Sequence, residues 1–170
     1  MPKLIIDNID IRNKKKNQFL EGYKHCENDY DKIWWLIIRV SRLSRKAREI
    51  ELLPYGITPA EAGLLIAVHN IGHDATLTRI SKFLMKKPQT TFALLSRMEK
   101  RGLIKRLKDM EYKNIVRVEL TEKGQDGFIQ SNNREPARKL LSVLSEQDLE
   151  RMRTYLENIL DKGFEEITDF

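Results

Sequence analysis

The sequence predicts a mainly α fold interrupted once by a two-stranded β-hairpin, and three observations carry that prediction. Apolar residues recur at three- and four-residue steps over long stretches on both sides of Gly102, the period of an amphipathic helix. Just after Gly102 the period drops to two in a pair of short runs, the alternation of half-buried strands. Residues that start and stop helices, among them Thr58-Pro59, Pro88, Gly102, Thr121 and Ser145, fall at the edges of these runs.

The first long helix is expected from about Asn28 to Leu53, where Ile33, Leu36, Ile37, Val40, Leu43, Ala47 and Ile50 form one apolar stripe, and Pro54-Tyr55-Gly56 ends it. Thr58 is a good N-cap for the next helix. Pro59 suits its first position, where an amide hydrogen is not needed, and Glu61 completes a capping box. The body from Ala62 to Val68 is apolar on nearly every side and runs to Gly72, so this helix is expected to be central and buried. Leu77 to Leu84 follow as two turns, with Leu77, Ile80, Phe83 and Leu84 expected inward and Arg79, Ser81 and Lys82 outward. Met85-Lys86-Lys87 makes the turn, Pro88 opens a helix that runs to Arg101, and Gly102 closes it as a left-handed C-cap. Two helices joined by so short a turn form a helix-turn-helix.

Ile104 and Leu107 interleaved with Lys105, Arg106 and Lys108 form the first strand. Ile115, Val116, Val118 and Leu120 interleaved with Arg117 and Glu119 form the second, and Asp109 to Asn114 supply the turn of this β wing. Thr121 is the expected N-cap of a helix reaching toward Val143. Ser145 with Asp148 makes a second capping box, for a last helix from about Glu146 to Ile167.

Charge places a function on this framework. Of 170 residues 41% are apolar and 33% charged, too apolar a balance for disorder. Between Thr76 and Leu120 twelve Lys or Arg stand against four acids, a local +8, whereas the whole chain, with 31 basic and 25 acidic residues, is only +6. The basic excess is therefore entirely local, as expected of a surface that meets a polyanion and releases its counterions. The second helix of a helix-turn-helix enters the DNA major groove by its N-terminal end, where amides and the helix dipole also favour phosphate. Lys86 and Lys87 are suited to phosphate clamping, Gln89 to bidentate adenine contact, and Thr90 and Thr91 to a hydroxyl or methyl contact with thymine. Arg97 is placed for a phosphate or a guanine, Lys113 at the wing tip for the minor groove or its phosphates, and Arg106 and Arg117 on the wing strands for support.

These residues resemble the MarR (multiple antibiotic resistance regulator) winged-helix family over about Trp34 to Leu160. The resemblance is densest in Leu77-Thr78-Arg79-Ile80-Ser81-Lys82-Phe83-Leu84, in Leu95 to Arg106, and in Val118-Glu119-Leu120-Thr121-Glu122-Lys123-Gly124. It implies a mainly α winged helix-turn-helix with a helical dimerisation region made from N- and C-terminal helices. The corresponding division is an arm and dimerisation helix over 1–57, a DNA-binding domain over 58–121 and dimerisation helices over 122–170. The implied function is that of a homodimeric repressor on a pseudo-palindromic operator of double-stranded DNA, released by a small-molecule effector or by oxidation. The wing departs from the family pattern, because Tyr112 stands in the place of its second acid and Lys113 in that of its tip arginine. A compact ammonium cannot make the forked contacts of a guanidinium, so a purely electrostatic minor-groove contact is expected.

Other chemistry is weaker. Cys26 lies where oxidation-sensing members of the family carry a reactive thiol, but Thr58-Pro59-Ala60-Glu61 lacks their supporting tyrosines, and an inert cysteine is the favoured reading. His69 and His73 have the spacing of two zinc ligands on one helical face, yet Gly72 is expected to end the helix between them, which favours loop and capping roles. Of Trp34 and Trp35, neighbours on a helix, at most one is expected in the core, with the other in a dimer interface or an effector pocket. No phosphate-binding glycine loop, nucleophile elbow or carboxylate pair supports an enzyme, and no metal or other cofactor is expected. The most apolar run, Ile33 to Ile38, falls far short of the ~20 residues of a membrane span, and no secretory signal is evident, so a cytoplasmic protein is expected. The competing readings are a winged-helix module that binds protein or RNA, a redox regulator acting through Cys26, and a binder of anionic metabolites.

Overall fold

Thr58, Lys87-Pro88, Thr121 and Ser145 all stand at helix starts in the computed structural model, which describes residues 21–108 and 115–167. The elements are α1 (Asp29–Leu52), α2 (Pro59–Ile71), α3 (Leu77–Phe83), α4 (Pro88–Lys100), β1 (Ile104–Lys108), β2 (Val116–Leu120), α5 (Glu122–Asn132), α6 (Glu135–Leu141) and α7 (Glu146–Glu166), with single 3₁₀ turns at Glu21–His25, Leu53–Tyr55 and Gly72–Asp74. The described residues fall into two compact units, one ending at Lys46 and one beginning at Ala47.

In the first unit the Asn28 side chain caps α1 by accepting the Asp31 amide at 2.9 Å. Trp35 packs edge-on to Tyr23, with ring centroids 6.1 Å apart, and the Arg39 guanidinium lies 4.6 Å from the Trp35 ring centroid. Trp34 is mostly exposed, so neither tryptophan is fully buried. Cys26 is half-buried, its thiol 3.6 Å from the Gly22 carbonyl oxygen.

In the second unit α2 is the central helix, as its composition predicts: Ala62, Leu64, Leu65, Ala67 and Val68 are buried. They join Leu52, Ile57, Ala75, Ile80, Leu94, Leu95, Met98, Leu103, Ile104 and Val118 in one core. The capping box is complete, with the Thr58 amide donating to Glu61 Oε2 at 2.9 Å and the Glu61 amide to Thr58 Oγ1 at 3.3 Å. Ser145 caps α7 by accepting the Asp148 amide, but the shorter Asp148 carboxylate takes the Ser145 hydroxyl at 2.6 Å in place of its backbone amide, so the second box is only half made.

β1 and β2 pair antiparallel with Ile104 opposite Leu120 and Arg106 opposite Val118. Ile104 and Val118 therefore share the inward face, while Leu107, three residues from Ile104, falls on the other face opposite Arg117 and is partly exposed. Lys105 pairs with Glu119 across the strands at 2.9 Å. The Val118 amide donates to the Ala75 carbonyl at 2.7 Å, so the short stretch between α2 and α3 lies along the outer edge of β2.

Gly102 has φ 69° and closes α4 through paired bonds from its own amide to Glu99 O and from the Leu103 amide to Met98 O. The same two-bond closure ends α3, with Met85 in the left-handed position at φ 51°. Gly124 answers to a close approach: a Cβ there would lie 1.9 Å from the Leu103 carbonyl oxygen. That oxygen also accepts the Thr121 amide at 3.2 Å, and Thr121 Oγ1 donates to Gly102 O at 2.6 Å. The Thr-x-x-Gly exit from the wing thus locks the start of α5 against the end of α4.

Two further expectations fail. The helix from Thr121 does not reach Val143: it stops at Asn132, Arg134 turns left-handed at φ 52°, and α6 restarts with Pro136 in its first turn. The ring of Pro136 excludes the continuing helical hydrogen bond and so forces a break. On α3 the orientation of two residues is exchanged: Ser81 is buried, its hydroxyl bonded back to Leu77 O at 2.7 Å, and Phe83 is 47% exposed. The back-bond satisfies the Ser81 hydroxyl inside the helix, which lets a small polar residue take a core position.

Candidate nucleic-acid interface

The inward face of α4 is set by its apolar period. Leu94, Leu95 and Met98 are buried together with Thr91, so Gln89, Ala93 and Lys100 point away from the core and are exposed. Thr90 and Arg97 flank this outward line on the side of Glu61, toward which Arg97 Nε lies at 3.5 Å. Phe92 and Glu99 flank it on the side of the wing, where both meet Arg106.

The N-terminus of α4 lacks a side-chain cap. Lys87 occupies the cap position in an extended conformation, and the first intrahelical bond is from the Thr91 amide to Lys87 O at 3.1 Å. The amides of Gln89 and Thr90 therefore have no intrahelical partner, and Lys86, half-buried, and Lys87, exposed, stand beside them. Unpaired amides, the helix dipole and two ammonium groups together make this end attractive to an anion.

Three of the residues predicted to touch DNA have other engagements. Thr91 is fully buried and its hydroxyl lies 3.4 Å from Lys87 O, so it packs inward and faces no base. Arg106 folds back onto α4: Nη2 donates to Ser96 Oγ at 2.7 Å, Nε lies 3.4 Å from Glu99 Oε2, and Cζ is 4.9 Å from the Phe92 ring centroid. Arg117 Nη1 donates to His73 O at 2.7 Å and to Asp74 Oδ1 at 2.8 Å. Both arginines join the wing to the helices beside it. Gln89, Thr90, Lys87 and Arg97 remain outward, and Lys113 lies outside the described residues.

Two acids organise the cations around this face. Asp74 takes Arg117 on one oxygen and Arg79 Nη1 at 2.6 Å on the other. The Arg117 hydrogen bond, helped by Arg79, holds the Asp74 carboxyl below its ordinary value against a smaller opposing effect of burial. Glu61 is 1% exposed and accepts Arg101 Nη1 at 2.7 Å, while Arg101 Nη2 donates to Gly56 O at 2.7 Å. Burial alone would push the Glu61 carboxyl up, but the Thr58 amide and hydroxyl and the Arg101 guanidinium outweigh it and hold the group below its ordinary value. Of the histidines at this end of α2, His69 stacks on Phe128 of α5, with ring centroids 3.8 Å apart, and His73 offers its carbonyl to Arg117.

Sequence reasoning misses Phe92, Glu61 and Asp74 as members of this face. Phe92 carries a signal, because it is an aromatic residue one position off the buried stripe of Thr91, Leu94, Leu95 and Met98. Glu61 is recognisable only as a cap, since nothing local reveals a partner forty residues away.

A helix-turn-helix with an outward polar face, followed by an antiparallel hairpin that packs back onto it, defines a winged helix-turn-helix protein. Residues 55–111 match the model of the MarR family. YsmB of Bacillus subtilis (strain 168), described as an uncharacterised HTH-type transcriptional regulator, is 34% identical over 83 residues, which cover 49% of this chain and 56% of that protein. The chain matches little more than half the length of that relative. The MepR–DNA complex of S. aureus has the same fold, with a TM-score of 0.70 and 24% identity over 79% of this chain and 99% of that one. CouR of Rhodococcus jostii, in a crystal structure bound to p-coumaroyl-CoA, aligns with a TM-score of 0.69 and 20% identity over 79% of this chain and 95% of the other.

Proposed function

We propose that this chain is a sequence-specific regulator of transcription that binds double-stranded DNA as a homodimer through α4. The observation that carries the reading is the outward face of α4, where exposed Gln89, Thr90 and Arg97 continue from the unpaired amides and the lysine pair Lys86 and Lys87. Gln89 reads adenine, Thr90 and Arg97 add contacts on the side of Glu61, and the lysines hold phosphate. Lys113, which the sequence puts at the wing tip, adds positive charge beside the minor groove.

Pairing of two copies is supported by α7, whose Leu149, Met152, Leu156, Ile159, Leu160 and Phe164 are all at least one-third exposed in the single chain. Their three- and four-residue spacing is that of a helix seam awaiting a partner helix. Repression relieved by a small molecule is the expected mode of control. An open groove of about 480 Å³ lined by Ala47, Ile50, Glu51, Tyr55, Lys139 and Leu140 is the candidate effector site.

Selection of bound sequences from random duplex DNA tests the reading. A two-fold symmetric site with half-sites about one helical turn, ~34 Å, apart is expected. Recovery of unselected sequence, or binding confined to RNA or a protein partner, would overturn it.

A further inference from the structure

We propose that Phe92 is a base-reading residue of α4 and that it requires a thymine, through its 5-methyl group, in each half-site. The inference rests on α4 being the DNA-reading helix. Phe92 is 52% exposed on the wing flank of α4, one turn from Gln89 and next to the exposed Ala93, within a surface otherwise made of charged and polar groups. Arg106 fixes the ring from one side, its Cζ 4.9 Å from the ring centroid, and is itself held by Ser96 Oγ at 2.7 Å and by Glu99 at 3.4 Å. The rest of the ring is open to solvent, and Phe92 stands three residues, about one helical turn, from the exposed Gln89.

The Arg106 side chain is only 22% exposed and is packed against Ser96, Glu99 and an aromatic face, which leaves it little reach toward a phosphate. Arg106 is therefore a positioning residue that orients Phe92 and gives no direct DNA contact. An immobilised phenyl ring offers a base edge no hydrogen bond, only apolar contact. In the major groove the thymine methyl is the apolar feature that such a side chain recognises. Side by side, Gln89 and Phe92 then read neighbouring positions, the first an adenine edge and the second a thymine methyl.

The test uses the full chain and the duplex recovered by selection, with each thymine replaced in turn by deoxyuridine, which keeps the base pair and removes the methyl. Affinity is measured at one fixed salt concentration. One position per half-site is expected to weaken binding about four-fold, the transfer of roughly one methyl-sized group, and about 10- to 20-fold when both half-sites are changed. In Phe92→Ala that sensitivity disappears, whereas Phe92→Leu retains part of it. The Phe92→Ala salt dependence stays that of the unaltered chain, because the substitution removes no charge. Deoxyuridine tolerated everywhere by the unaltered protein, or an undiminished methyl effect in Phe92→Ala, overturns the inference while leaving DNA binding intact. Failure to bind any duplex overturns both readings.

Discussion

Arg117 of β2 and Asp74, which precedes α3, form an ion pair at 2.8 Å, and the same guanidinium nitrogen donates to the neighbouring His73 carbonyl. The second wing strand is thereby tied to the stretch that leads into the helix-turn-helix. The Val118 amide reinforces the tie through Ala75 O.

Arg117→Ala is expected to loosen this edge without disturbing the core. Amide hydrogen exchange should accelerate at Val118 while protection in Leu64 to Ala67 of α2 is retained. Uniform loss of protection would show that the pair supports the whole fold.

The Glu61 carboxylate caps α2 and receives Arg101, so Glu61→Gln removes a charged acceptor from a buried network and should destabilise by roughly 1–3 kcal/mol at neutral pH. Because the folded-state value lies below the ordinary 4.5, the contribution is fully present above pH 4.5 and fades as pH falls through the folded value. Denaturant midpoints measured from pH 7 downward should therefore show the gap between wild type and variant narrowing below pH 4.5.

Gly124→Ala drives a methyl group into the Leu103 carbonyl, and neither backbone can retreat without breaking the Thr121 cap. A loss of about 2 kcal/mol or more is expected in equilibrium unfolding, at the upper end of overpacking effects. A loss near zero would mean that α5 shifts freely against the end of α4.

Base reading separates two residues that the sequence places together. Gln89→Ala should relax sequence preference at one position by the equivalent of ~1–3 kcal/mol, whereas Thr91→Val should leave preference unchanged, because Thr91 is buried. The check is competition between selected and randomised duplexes.

Helix starts are legible in the sequence because each depends on a few adjacent residues: Thr58 with Glu61, Pro88, Thr121 and Ser145 act within one turn. The central burial of α2 is legible from composition. The break at Arg134 is signalled locally by Asn132-Asn133 and Pro136, in a stretch from Gln130 to Glu135 without one apolar residue, and the cap at Thr121 says only where the helix starts, not where it stops. Arg106 and Arg117 look like DNA contacts since a sequence shows charge but not its partner. Their partners, Ser96, Glu99 and Asp74, lie ten, seven and forty-three residues away and meet them only in the fold. Thr91 shows the converse limit: a hydroxyl at a helix start looks like a reading group until the back-bond to Lys87 O accounts for it.

The salt dependence of duplex binding tests the central claim most directly. About eight neutralised phosphates imply a log–log slope near −7, and Lys86→Ala with Lys87→Ala should flatten it by roughly 0.9 for each phosphate no longer neutralised. A slope close to zero, or one unchanged in the double variant, would contradict the account.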